Sequence, residues 1–160
     1  RVASRGLGDV YKRQDKDILN WFTELRENLG CKIILGGKGQ NTYEKLIGYI
    51  SSGYHICLLA DRHVGSTGVG VEFFNQMAAF PKGPVALSLE TQVPIVPAAF
   101  LEIDGNYKLI FGKPFIVPHF ENDAQSIQHG LKVLSKELEK LILLDPNQWH
   151  SIQPVWTSEY

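Results

Sequence analysis

The chain has 160 residues, about one domain by length. Its composition, 44% hydrophobic and 21% charged, is that of an ordinary globular domain and excludes a disordered chain or a disulfide scaffold. The net charge of −1 argues against a nucleic-acid binder, and no apolar run approaches the roughly 18 residues of a membrane span.

The first 14 residues, RVASRGLGDVYKRQ, stand apart. Arg1, Arg5, Lys12 and Arg13 against Asp9 give them a local charge of +3, whereas residues 15–160 carry −4. They show no hydrophobic period and lack the apolar core of a signal peptide. The segment reads as translated adapter sequence, or else as a basic phosphate-binding arm. Residues 15–160 are expected to form the domain without residues 1–14. The only methionine is Met77, so the natural start is expected upstream of Arg1.

From Asp15 to Leu29 the residues Ile18, Trp21, Phe22, Leu25 and Leu29 recur at helical spacing, and Gly30 supplies a stop. Cys31–Leu35 reads as a short strand and Gly36–Gly39 as a loop. A second helix is expected near Asn41, with Glu44 in a capping box, Leu46, Ile47 and Ile50 on its apolar face, and Gly53 at its end. The run His55–Ala60 is nearly all apolar, as in a strand covered on both faces. A polar, Gly-rich loop over Asp61–Gly70 follows, then a short apolar stretch, Val71–Phe74. Lys82–Gln92 reads as a helix. Val93–Phe100 and Tyr107–Phe111 read as strands separated by a turn at Asp104-Gly-Asn106. In Asn122–Leu144, Ile127, Leu131, Leu134, Leu138 and Leu141 step by four and three residues, the clearest helix of the chain. The fold class is α/β, a mixed sheet flanked by helices.

Gly36-Gly-Lys-Gly39 lacks the spacing of a phosphate loop and suits a flexible turn. Cys31 and Cys57 suit buried thiols of a reducing compartment, and no Cys/His cluster indicates zinc. Asp61-Arg62-His63 closes a strand, where ligand sites of open α/β sheets concentrate. An acid and a guanidinium there suit a hydroxyl and a phosphate, and a strand-end ion pair suits them equally. Glu72 stands beside Phe73 and Phe74. Burial would fit it for acid–base work, whereas an edge strand with one solvent-facing Glu is the plainer alternative. Pro81-Lys-Gly-Pro84 either opens an anion-binding helix terminus or simply turns the chain. Trp149 and His150 suit a packed indole and a satisfied imidazole.

Five segments in this order carry a family resemblance. Leu58-Leu-Ala-Asp-Arg62, Gly68-Val-Gly-Val-Glu-Phe-Phe74, Phe80-Pro-Lys-Gly-Pro-Val-Ala-Leu87, Val93-Pro-Ile-Val-Pro97 and Gln148-Trp-His150 resemble the C-terminal half of bacterial lipid A lauroyl/myristoyl acyltransferases. That family lies within the lysophospholipid acyltransferase superfamily. Ala60-Asp-Arg62 and the segment Trp149–Trp156 are most similar to its phosphatidylinositol mannoside acyltransferase branch. The resemblance spans roughly residues 17–157 and implies a glycerolipid-acyltransferase-like sheet that is incomplete at the N-terminus. It implies transfer of a fatty acyl chain from acyl-CoA, as co-substrate, to a sugar hydroxyl of a membrane glycolipid, with no metal or other cofactor. It also implies work at the cytoplasmic side of the bacterial plasma membrane, peripheral or anchored by an upstream segment.

The family's general base is a histidine in an H-x4-D/E motif. His55, His63, His119, His129 and His150 are followed at that distance by Ala60, Gly68, Ala124, Leu134 and Val155, so none fits. The resemblance places the motif upstream and implies a chain that is inactive alone. It assigns Asp61 first and Glu72 second as the acid near that histidine. Arg26, in Leu25-Arg-Glu-Asn-Leu-Gly30, and Arg62 become candidates for acceptor or carrier phosphates. Phe73, Phe74, Pro81, Gly83 and Pro84 become pocket-shaping residues. The competing readings are a non-catalytic lipid- or acyl-chain-binding domain at the membrane surface, and an unrelated α/β phosphate binder using Gly36–Gly39 and Arg62.

Overall fold

The computed structural model describes residues 2–5, 16–34, 41–61, 68–151 and 154–156. The Gly36–Gly39 loop, Arg62 and His63 lie outside the described residues. The chain divides into two compact units, Arg1–Leu59 and Ala60–Tyr160.

In the first unit, strand β1 (Val2–Arg5) lies between β2 (Cys31–Ile34) and β3 (His55–Cys57), and all three run parallel. Parallel neighbours need crossovers. Helix α1 (Lys16–Asn28) leads into β2, and α2 (Thr42–Ser51) leads from β2 to β3. The fold thus draws its central strand from the segment that sequence reading leaves out. Four residues, VASR, are too few to show a period, and the pairing with β2 and β3 places them. Ile34 and Leu46 are the buried apolar residues of this unit among those described.

Three expectations are corrected here. The strand from His55 stops at Cys57, and both of these residues are exposed, as is Leu59 at 61%. As an edge strand of a three-stranded sheet, β3 lacks the two-faced cover that its apolar run suggests. Asn41 occupies the N-cap of α2, but its side chain makes no capping hydrogen bond. Trp21, on the apolar stripe of α1, remains 58% exposed.

In the second unit, β4 (Val69–Phe73) and β5 (Gln76–Phe80) form an antiparallel hairpin. Its two turn residues, Phe74 and Asn75, have φ of 50° and 61°. Positive φ at both turn positions is the type I′ pattern, whose twist matches that of paired strands. Sequence reading misses β5 because a bulky Phe takes the first turn position. Helix α3 (Gly83–Thr91) follows, with Pro84 in its first turn. β6 (Ala98–Ile103) and β7 (Asn106–Phe111) form a second hairpin around Asp104 and Gly105, at φ 55° and 71°. The strand expected from Val93 begins only at Ala98. Pro94 and Pro97 cannot donate to a ladder, and only Ile95 in this stretch bridges to Phe115.

Helix α4 (Asp123–Ile142) starts at Asn122, whose Oδ1 accepts the Gln125 N–H at 2.9 Å. Its Leu131 and Leu134 join Val71, Phe73, Ala78, Phe80, Val85, Leu89, Val117 and Val155 in one core. A Cβ on Gly130 would lie 2.6 Å from Val85 Cγ1, so glycine permits the close approach of α3 and α4. A 3-10 turn, Pro146–Gln148, then carries Trp149 back to the core, and Trp156 bridges Ala78 of β5. The chain is therefore mixed α/β with helices beside its sheets, the parallel and antiparallel strands lying in separate small sheets.

Candidate functional site

Asp61 lies at the start of the second unit and is half-buried. Its Oδ2 accepts the Trp149 indole N–H at 3.0 Å. Indole is a donor only, so this contact needs an acceptor, and a carboxylate is a strong one. The Trp149 ring packs edge-on against Phe73 at 5.8 Å and Trp156 at 6.2 Å, and tilted against Phe74 at 6.2 Å. Phe73 is fully buried and also meets Phe80 edge-on at 5.1 Å. Trp156 in turn donates its indole N–H to the Phe73 carbonyl at 2.9 Å. One side of Asp61 is thus fixed by an aromatic cluster built from β4, its turn and the C-terminal segment.

Glu72 faces away from this cluster. Strand alternation buries Val71 and Phe73 and leaves Glu72 exposed, its side chain at 57%. Lys136 Nζ reaches Glu72 Oε1 at 3.1 Å and Glu139 Oε1 at 3.0 Å. Hydrogen bonds to Glu139 and then to Glu72 raise the Lys136 pKa above its ordinary value. Glu139 Oε1 also accepts the Phe74 N–H at 2.6 Å, tying the β4–β5 turn to α4. Between Lys136 and Glu139 on α4, Glu137 is buried. Its Oε2 accepts the Lys113 N–H at 3.0 Å, and Lys140 bonds its Oε1. Those bonds, that of Lys140 foremost, hold its pKa below the usual carboxylate range.

Of the other residues nominated from sequence, Arg62 lies outside the described residues. Arg26 lies in the first unit, its guanidinium 5.4 Å from the Phe22 ring and its Nη1 3.4 Å from the Phe22 carbonyl. Pro81 precedes α3, and Gly83 and Pro84 form its start, within two residues of buried Val85. The structure thus brings together Asp61, Phe73 and Phe74. It adds Trp149, Trp156, Lys136 and Glu139, which sequence reasoning did not nominate for the site. The Trp149–Trp156 segment was the one signal pointing toward the two indoles.

Among the described residues no group of three or more His, Cys, Asp or Glu is placed to hold a metal ion. No helix among them is long and apolar enough to cross a membrane.

The model for bacterial lipid A biosynthesis acyltransferases matches residues 3–158, and the chain belongs to that family. Within it, the chain is similar to the phosphatidylinositol mannoside acyltransferase of Mycolicibacterium smegmatis, 28% identical over 140 residues. It is similarly 27% identical over 140 residues to the protein of the same name from Mycobacterium tuberculosis H37Rv. Both matches cover 86% of this chain but only 44% and 42% of the relatives. The chain therefore spans less than half the length of these curated relatives.

Proposed function

We propose that this chain is part of an acyltransferase that moves a fatty acyl chain from acyl-CoA to a sugar hydroxyl of a membrane glycolipid, such as a phosphatidylinositol mannoside. The observation that carries the reading is the Asp61 carboxylate, held at 3.0 Å by Trp149 inside the family match. The general base is the histidine of an H-x4-D/E motif supplied from outside these 160 residues. It takes the proton of the acceptor hydroxyl, whose oxygen attacks the thioester carbonyl. The tetrahedral intermediate collapses, and the proton passes to the departing CoA thiolate. Asp61 serves that histidine by holding its ring and favouring its charged form. Arg62 and Arg26 take phosphates of the carrier or acceptor, and Phe73, Phe74, Pro81, Gly83 and Pro84 shape the pocket. Glu72 is the second choice for the acid, and its ion pair with Lys136 supports a surface role instead. The reaction needs no cofactor beyond its co-substrate, and it belongs at the cytoplasmic face of the bacterial plasma membrane.

The test joins the chain in frame to its upstream coding sequence and follows transfer of a labelled acyl group from acyl-CoA to a glycolipid. Transfer by the joined protein and none by the 160-residue chain is the expected result. Transfer by the 160-residue chain alone would overturn the external base. Saturable binding of acyl-CoA without transfer by either protein would favour a lipid-binding domain. Saturable binding of ATP but not acyl-CoA would favour a phosphate binder.

A further inference from the structure

We propose that Glu139 is a positioning residue for the Asp61 site, acting through the β4–β5 turn. The turn residue Phe74 sits at φ 50°, a left-handed conformation that is unfavourable for a bulky L-residue. Such a conformation persists only where its surroundings hold it. Besides the Phe73–Gln76 pairing that closes the hairpin, the turn is held by a hydrogen bond from the Phe74 N–H to Glu139 Oε1, across 65 residues of sequence. The Glu139 side chain is only 14% exposed, and Lys136 bonds both of its oxygens, at 3.0 and 3.2 Å, which fixes its rotamer. On the other side of the turn, the Phe73 and Phe74 rings bear on Trp149, and Trp149 bonds Asp61. The contacts run without a break from α4 to the turn, to the indole, to the carboxylate. Moving the turn therefore moves the indole that sets the Asp61 rotamer. Glu139 touches no reacting atom in this scheme.

This inference rests on Asp61 being the site acid, and the two fail separately. The probe is the Trp149 indole N–H resonance of the 160-residue chain in two-dimensional 1H–15N NMR, assigned with Trp149→Phe. Glu139→Ala removes the acceptor, and Glu139→Asp keeps the charge but withdraws it by one methylene. Glu139→Gln keeps an oxygen acceptor at the same reach. The resonance shifts in E139A and E139D toward its position in Asp61→Ala, and stays near its wild-type position in E139Q. An unmoved resonance in E139D, or equal shifts in E139D and E139Q, overturns the proposal. Should E139A fail to fold, the E139D and E139Q pair decides alone. Undiminished acyl transfer by Asp61→Asn in the joined protein would instead remove Asp61 from the site and leave the coupling of Glu139 to Trp149 standing.

Discussion

The indole N–H of Trp149 donates to Asp61 Oδ2 at 3.0 Å, joining residues 88 positions apart. The bond ties the start of the second unit to the Trp149–Trp156 segment of the same unit, and both lie in the family match. It gives a half-buried carboxylate one fixed oxygen and leaves the other outside this contact.

Replacing Trp149 with Phe keeps an aromatic ring but deletes the donor. A hydrogen bond to a charged acceptor contributes about 1.5–3 kcal/mol, against about 1 kcal/mol for a neutral one. Trp149→Phe is therefore expected to lower stability more than Trp156→Phe, whose lost partner is the neutral Phe73 carbonyl. Urea midpoints of the two variants measure the difference, and equal midpoints would show that the Asp61 bond contributes no more than a neutral one.

Two glycines in helices should respond in opposite directions. Gly130→Ala drives a Cβ to 2.6 Å from Val85 Cγ1, an overpacking expected to cost about 1–3 kcal/mol despite better helix propensity. Val85→Ala in the same molecule should restore part of that loss. Gly48 in α2 has nothing within 4 Å of its built Cβ, so Gly48→Ala should stabilise by up to about 1 kcal/mol. Thermal unfolding of the three variants checks the signs.

The β4–β5 turn makes its own prediction. Asn75 sits at φ 61°, which Asn tolerates and Ala does not. Asn75→Ala should cost about 1 kcal/mol, and Asn75→Gly should be neutral or better. A urea midpoint unchanged in Asn75→Ala would show that the turn does not constrain the hairpin.

Much of the fold was legible because its signals are local. Helix α4 announces itself through Leu131, Leu134 and Leu141, which share one face and are all buried. The β6–β7 hairpin follows from Asp104-Gly105, residues that accept positive φ. The β4–β5 hairpin was hidden because a bulky Phe74 takes the positive-φ turn position, and its N–H bonds Glu139, 65 residues away, which leaves no mark in spacing. Strand β1 has four residues and no period, so only its pairing reveals it. The site was legible only in part. Its strand-end position singled out Asp61, but a partner 88 residues distant leaves no mark in spacing. Family resemblance pointed to the Trp149–Trp156 segment without saying what either indole bonds.

Acid should unfold the second unit partly through Glu137. Its pKa is held below the ordinary 4.5 by Lys140 and the Lys113 N–H, so the folded state favours the carboxylate. That contribution is complete above the ordinary value and fades as pH falls through the lowered one. Glu137→Gln should therefore be less stable than wild type near neutral pH. The two should converge well below pH 4.5, as urea midpoints across pH will show. A constant gap at all pH values would mean that the charge of Glu137 contributes nothing.

The most direct measurement is the rate of acyl transfer from acyl-CoA to a glycolipid by the upstream-joined protein carrying Asp61→Asn. Asparagine keeps an oxygen for the Trp149 N–H, removes the charge and replaces the other oxygen with an NH2 donor. If Asp61 supports the catalytic histidine, transfer falls by about 10²- to 10⁴-fold while the Trp149 indole resonance keeps its folded position. Transfer at the wild-type rate would contradict the account.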